Sequence, residues 1–481
     1  MKIQRTGLLM WIQLLFTFAS GVQGATAPEQ IMLSHGATPT SVVVSWLSDT
    51  SDGSVYFGTS ATKLATEVKG DPGVTYSFVS NFSRSITYTS KYIHHVTLEK
   101  LSPDSTYYYK ITSGDDVDES DSVSSNVFKF TSAPAVGSRS TFAISVMGDL
   151  GQTNNSNVTI HQAIASFEEF GVVSAIIVGD MSYADSAWQP RVWNNFQTNQ
   201  TRWDSWGRLI QPLAAQTPLM VCPGNHEVEQ QGPPPATQTQ FLAYDKRFAM
   251  PAKATGATEG NQYYSYEIGS VHVIMMNSYC AYNQTSLQYK WLTEDLAKVD
   301  RTKTPWIVVN MHAPFYNSNR KHHNEVEEVG MRKVYEDQLL FAQVDIIFSG
   351  HVHSYERMHN VMHNKTNLVN GLLYINIGDG GNREGHAGPY LQMPEWSAYR
   401  EDQFGHGLLR IDNATHMDWQ WHRVNNSVVV GDHVSIIKKH SIGLPSEGAV
   451  AVPHGRTPQE YLYSQEKIDG FKHRLNVEKE V

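Results

Sequence analysis

Five apolar runs, each ending in a short polar loop, constrain what this chain can fold into. Residues 142–147 lead to Gly148-Asp149-Leu150-Gly151, and 175–178 lead to Gly179-Asp180-Met181-Ser182-Tyr183. Residues 219–221 precede Gly224-Asn225-His226-Glu227, 306–309 precede Asn310-Met311-His312, and 346–348 precede Gly350-His351-Val352-His353. Continuous Ile- and Val-rich runs of strand length, separated by helix-length segments, read as buried strands of an α/β sheet. In open α/β sheets, chemistry gathers at the carboxyl ends of strands. Two Asp, one Tyr, one Asn and three or four His therefore reach one rim. Core packing requires no such set; a pair of metal ions does.

Carboxylate and phenolate oxygens suit a hard trivalent cation, and imidazole suits Zn, Mn or Fe(II). The residues divide accordingly. Asp149, Tyr183 and one His of the Gly-His-x-His pair serve a first ion, while Asn225, His312 and the other His serve a second. Asp180 has two oxygens with which to bridge them. Two cations about 3.5–4 Å apart clamp the attacking and leaving oxygens of a displacement at phosphorus, and they lower the pKa of bound water. Taken singly, an Asp after a strand is a turn or cap residue, and a lone His belongs to the core. The joint occurrence, in order and each at a strand end, carries the signal.

This set resembles the calcineurin-like metallophosphoesterases and, within them, the purple acid phosphatases. Tyr183, three positions after Asp180, discriminates the branch: in that family the Tyr binds Fe(III) and gives the purple charge-transfer band. Residues 217–223, Ile377-Gly378-Asp379-Gly380-Gly381-Asn382 and the stretch 396–407 are also similar to family members, so matched segments span about 28–425. The resemblance implies a metallophosphoesterase fold, a two-sheet sandwich flanked by helices with both metals at one edge. It implies Fe(III) on Asp149, Asp180, Tyr183 and His353, and a divalent ion (Zn, Mn or Fe(II)) on Asp180, Asn225, His312 and His351. His226 would face the substrate phosphate as a proton donor or transition-state stabiliser. His322 and His323 occupy the loop where the family keeps substrate-contacting histidines. The implied activity is acid phosphatase, hydrolysing small phosphate monoesters with a hydroxide nucleophile held by the metal pair. Alternatives are a phosphodiesterase, nucleotidase or phytase of the same superfamily, and a catalytically inactive extracellular binding protein. Asp379, between glycines, reads as a turn residue near the site.

The remainder of the chain gives the setting. Residues 1–24 read as a secretory signal peptide, with Lys2 and Arg5 before a short apolar core. No segment is long enough for a membrane span. Eight Asn-x-Ser/Thr acceptors (Asn81, Asn154, Asn157, Asn199, Asn283, Asn364, Asn413 and Asn425) fit a secreted or vacuolar/lysosomal glycoprotein. The net charge of −10 and the lack of a basic stripe argue against nucleic acid as a partner. Family resemblance admits a homodimer. Cys222 and Cys280 each follow a strand and form either a bridge or free thiols.

Residues 25–133 show short β-rich runs at 41–46, 55–58, 92–98, 107–112 and 127–131, a β-sandwich pattern. Trp46 is its natural core residue, and Leu101-x-Pro103-x-Ser105-x-Tyr107 resembles the tyrosine corner of fibronectin type III modules. Scaffolding is the expected role. Residues 132–138 are a linker, and 140–430 form the catalytic domain. Helices are expected at 158–170 and 286–299, and a hairpin at 263–267 and 271–276. Trp188, Trp193, Trp203 and Trp206 read as core around the metal loops. Residues 431–481 form a C-terminal extension to which the sequence assigns no function.

Overall fold

The computed structural model describes residues 26–80, 86–114, 123–185, 198–229, 240–424 and 430–438. The signal segment 1–24, Trp188, Trp193, Asn81, Asn425 and residues 439–481 lie outside the described residues.

Two sheets carry the five loops, as the family resemblance implies. The first runs in the order Leu219–Val221, Val172–Ile177, Phe142–Met147, Gly405–Ile411, His416–Arg423 and Val430–Ile437. Its first three strands are parallel and the others antiparallel. The second places Tyr264–Ile268, Val271–Met275, Trp306–Asn310, Ile346–Ser349, Leu372–Ile377 and Tyr355–Met362 side by side, with the four from Val271 to Ile377 parallel. Facing Ile, Val and aromatic side chains of both sheets form one continuous core. Parallel strands covered on both faces must be apolar throughout, which is why these runs stand out in the sequence. The strand Val430–Ile437 lies beyond the expected boundary at 430. It completes the first sheet, and Asp432 accepts two hydrogen bonds from Arg357 at 2.6 and 2.9 Å. Its alternating, half-exposed pattern belongs to an edge strand, so it carries no apolar run.

The helix expected at 158–170 begins earlier, at Asn154, because Thr153 caps it by accepting from Asn155 and Ser156 backbone N–H groups. It stops at Ala165, and a short turn Phe167–Phe170 follows. The helix Leu287–Lys298, capped by Ser286, and the hairpin Tyr264–Ile268/Val271–Met275 match expectation. Helices Thr201–Ala214 and Val326–Phe341 had no counterpart in the sequence reading. Trp203 and Trp206 are buried on the first of these, as core. Cys222 and Cys280 are free thiols. They follow strands of different sheets. No helix among the described residues is long and apolar enough to cross a membrane.

The N-terminal unit is a β-sandwich: a three-stranded sheet (Glu29–His35, Val42–Ser48, Tyr92–Leu98) faces a five-stranded one (Gly53–Gly58, Thr66–Lys69, Thr106–Ser113, Val123–Ser124, Phe128–Thr131). Trp46 is buried in its core and stacks on His94 at 4.6 Å. Tyr107 Oη accepts from the Ser102 N–H at 2.9 Å, the corner anticipated from sequence.

A buried ion pair ties the hairpin to its neighbouring helix. His272 Nε2 donates to Asp295 Oδ2 at 2.8 Å, and Ser265 Oγ donates to the other oxygen at 2.5 Å. Glu267 lies 3.9 Å from Nδ1, near enough to add charge but not a hydrogen bond. Burial opposes protonation of His272, yet the Asp295 hydrogen bond and the negative charges of Asp295 and Glu267 together outweigh it and lift the pKa from 6.5 to about 9. Because the folded value is raised, the stabilisation is complete below the unfolded pKa and fades as pH rises through the folded one. It is on the order of 3 kcal/mol. His272→Gln is expected to lower Tm clearly at pH 6 and much less at pH 10. Equal losses at both values would contradict this.

Candidate metal centre

The five loops meet at the carboxyl ends of the two parallel strand sets. Four of the candidate donors hold left-handed backbone: φ is 52° at Asp149, 53° at Asp180, 52° at Tyr183 and 70° at His351. Such conformations cost about 1–3 kcal/mol each in non-glycine residues and persist only where the surroundings dictate them. Here they do. Asn382 Nδ2 donates to the Asp149 carbonyl at 3.0 Å, and Gly380 N–H donates to the Gly148 carbonyl at 2.9 Å. Glu227 accepts from the backbone N–H groups of Asp180 (2.8 Å), Met181 (2.9 Å) and Gly224 (2.8 Å). The loops approach so closely that a Cβ on Gly224 would overlap the Asp180 carboxylate, and one on Gly350 that of Asp149.

The side chains converge. His312 Nε2 lies 3.0 Å from Asp180 Oδ2 and 3.2 Å from Asn225 Oδ1. His353 Nε2 lies 3.3 Å from Asp149 Oδ1 and 3.2 Å from Tyr183 Oη, which is itself 3.5 Å from Asp149 Oδ1. Two donor triads, Asp180/His312/His351 and Asp149/Asp180/His353, each keep one atom per residue within 4.8 Å of the others, and Asp180 belongs to both.

The donor set fits metal ions by its outer contacts. Each histidine has one ring nitrogen occupied away from the cluster. His312 Nδ1 donates to the Val178 carbonyl at 2.7 Å, His353 Nδ1 to the Gly385 carbonyl at 3.1 Å, and His351 Nε2 to Glu325 at 2.8 Å. That pattern fixes the tautomer and presents the other nitrogen inward, as metal-ligating histidines require. Burial holds His351 and His353 near a pKa of about 3, with Lys321 adding to the effect at His353, so both rings are neutral donors. Burial pushes the Asp149 carboxyl well above its ordinary range. Burial also resists ionisation of Asp180, but His312 and His226 outweigh it and hold that carboxyl low. Against burial, Asp180 and Asp149 lift His312 to about 9. No Lys or Arg among the described residues pairs with either carboxylate. Two buried acids whose only basic neighbours are imidazoles, themselves good metal ligands, suit a pair of cations.

Two further histidines, His226 and His322, line the cluster. His226 packs on Tyr183 with ring centroids 4.1 Å apart, and its Nε2 stands 3.8 Å from Asp180 Oδ2 and 3.7 Å from Glu384 Oε1. Its Nδ1 donates to Asp185 Oδ1 at 2.6 Å. Burial disfavours the charged ring, but Asp185 and Asp180 prevail and raise its pKa well above the ordinary value. His322 lies against His351, centroids 4.0 Å apart, and donates through Nδ1 to Glu325 at 2.8 Å. His323 instead donates to the Asn317 carbonyl of its own loop at 2.9 Å. Among the described residues no contact joins it to the cluster.

The reading from sequence missed Glu227, Glu325, Asp185, Asn382 and Tyr279, whose Oη donates to Asn225 Oδ1 at 3.3 Å. Only Glu227 had a local signal, its place three residues after Gly224 at the start of a helical turn, where a Glu commonly reaches back to the cap. Asp379 is a buried turn residue. Its carboxylate accepts from Trp421 Nε1 at 2.7 Å, and burial lifts its pKa to about 8.

Three family descriptions match along the chain: purple acid phosphatase N-terminal domain at residues 28–132, calcineurin-like phosphoesterase at 142–355, and iron/zinc purple acid phosphatase-like protein C at 371–433. The probable purple acid phosphatase 20 of Arabidopsis thaliana is 39% identical over 408 residues, 84% of this chain and 86% of that one. A phosphoenolpyruvate phosphatase of Allium cepa is 36% identical over 424 residues, covering 85% and 81%. The solved purple acid phosphatase PPD1 from yellow lupin seeds superposes with a TM-score of 0.73 at 22% identity, over 86% of this chain and 75% of that one, and shares its fold. With matches of this identity running through both domains, the chain belongs to the purple acid phosphatases.

Proposed function

We infer that this chain is an acid phosphatase that hydrolyses phosphate monoesters at a dinuclear metal centre. One observation carries the reading: seven donors from five loops converge around Asp149 and Asp180, with the outer nitrogen of each histidine already engaged. In this reading Asp149, Asp180, Tyr183 and His353 hold Fe(III). Asp180, Asn225, His312 and His351 hold Zn, Mn or Fe(II). When bound, the pair supplies Lewis acidity and a water of lowered pKa.

The residues around the pair complete the reaction. His226 presents Nε2 to the cluster while Asp185 fixes the other nitrogen, so a proton on Nε2 is aimed at the leaving-group oxygen. His322, oriented by Glu325, supplies a second donor to the phosphate from the opposite loop. His323 is assigned to shaping that loop. Asp379 supports the turn behind Asp149 and touches no substrate.

Phosphate release at acidic pH from p-nitrophenyl phosphate, phosphoenolpyruvate and bis-p-nitrophenyl phosphate tests the reading. Phosphoenolpyruvate belongs in the panel because the Allium relative carries its name. Both monoesters are expected to turn over faster than the diester. A preference for the diester would favour the phosphodiesterase alternative, and no turnover together with no bound metal would favour the binding protein. The proposal includes export, with delivery outside the cell or to a vacuolar or lysosomal compartment, glycosylation, no nucleic-acid partner and a homodimer. A glycosidase-sensitive mass and light scattering of the purified protein check the second and the last.

A further inference from the structure

The N-terminal sandwich reaches the loop that carries His226. Tyr76, a buried residue of that domain, donates from Oη to Gln200 Oε1 at 2.9 Å and accepts from Arg247 Nε at 3.0 Å. Gln200 Nε2 donates in turn to Glu229 Oε1 at 2.9 Å. Glu229 is buried and lies three residues after His226, with a left-handed φ of 35°. Its carboxylate also accepts from Thr198 Oγ1 at 2.8 Å and from Trp203 Nε1 at 3.0 Å. The same segment steadies the other side of His226. The Asn199 N–H donates to the Ala184 carbonyl at 2.8 Å, and Ala184 precedes Asp185, the partner of His226 Nδ1.

Arg247 closes the path across the interface. It is buried within the catalytic domain and donates to Gln30 Oε1 (3.0 Å) and Tyr88 Oη (2.7 Å) of the sandwich, and to Asp204 Oδ1 (2.8 Å) of its own domain. A buried network that satisfies every member is rigid, and one that loses a member is not. Tyr76 is two hydrogen bonds from the strained peptide that follows His226. Its removal leaves Gln200 and Arg247 each lacking a partner.

We infer that Tyr76 is a positioning residue for His226, so that the N-terminal domain contributes to leaving-group chemistry across the domain interface. This rests on the assignment of His226 to the leaving group.

The test compares phenyl phosphate, a poor leaving group, with p-nitrophenyl phosphate, a good one, using the full chain loaded with metal. Tyr76→Phe is expected to lower kcat on phenyl phosphate roughly tenfold, a part of the 10²–10⁴ that a positioned proton donor contributes. The loss on p-nitrophenyl phosphate is smaller, while KM and metal content stay unchanged. Gln200→Leu, which cuts the same path inside the catalytic domain, is expected to give the same skew. Tyr107→Phe removes a hydroxyl buried within the sandwich and away from the interface. It lowers Tm and leaves both kcat values as they were. His226→Asn sets the scale, with a larger loss and the same skew. If His226→Asn is skewed while Tyr76→Phe and Gln200→Leu lose activity equally on both substrates, or lose none, the inference is overturned. An unskewed His226→Asn overturns the assignment of His226 itself, and the inference with it.

Discussion

Asp180→Asn is expected to reduce turnover of p-nitrophenyl phosphate by ~10³-fold or more, equivalent to about 4 kcal/mol of barrier. The substitution keeps the shape of the side chain and removes its charge. Asp180 is the one residue common to both donor triads. Its Oδ2 lies 3.0 Å from His312 Nε2, and its Oδ1 accepts from the His226 N–H at 3.0 Å. One change therefore weakens both metal positions and the seat of His226. Metal analysis is expected to fall below the roughly two ions per chain of a dinuclear site. A variant with normal metal content and normal turnover would remove Asp180 from the centre.

Glu227→Leu is expected to be the most damaging change outside the donors. Three buried backbone N–H groups lose their acceptor, those of Asp180, Met181 and Gly224. Each unpaired donor costs about 1–3 kcal/mol, so a loss on the order of 5 kcal/mol is expected in denaturant unfolding. Metal affinity falls as well, by about 10–100-fold, because the residues that orient ligands matter nearly as much as the ligands. Glu227→Gln retains one acceptor oxygen and is expected to lie between the parent and the leucine variant. If both variants melt and bind metal like the parent, the carboxylate does not organise the loops.

The five loop-bearing strands were legible because a strand buried on both faces is written as an unbroken apolar run, and each run here ends in a polar break. How the strands divide between two sheets was not legible. Val308 and Ile176 look alike in sequence, and only pairing partners separate them. Helix Thr201–Ala214 was hidden by Pro212 within it and by its dense Trp residues, which drew attention as an aromatic patch. Edge strand Val430–Ile437 was hidden by its exposure.

At the site the first layer was readable and the second was not. Asp149, Asp180 and His312 announce themselves at strand ends, where a turn alone does not explain them. Glu325, Asp185 and Glu229 read as ordinary solvated acids. Their roles arise from long-range placement: Glu325 meets His351 across 26 residues, and Asp185 meets His226 across 41. Sequence spacing contains no trace of either meeting. The Tyr76 path is longer still, 124 residues between Tyr76 and Gln200.

The visible spectrum of the purified, iron-containing protein, recorded beside that of Tyr183→Phe with iron measured in both, bears most directly on the metal centre. Tyr183 Oη lies within 3.5 Å of both Asp149 and His353, so a ferric ion held by those residues would take the phenolate as a ligand. A charge-transfer band in the parent, lost in the variant while iron remains bound, is the expected result. Iron-loaded parent protein without the band, or a band that survives in Tyr183→Phe, would contradict it.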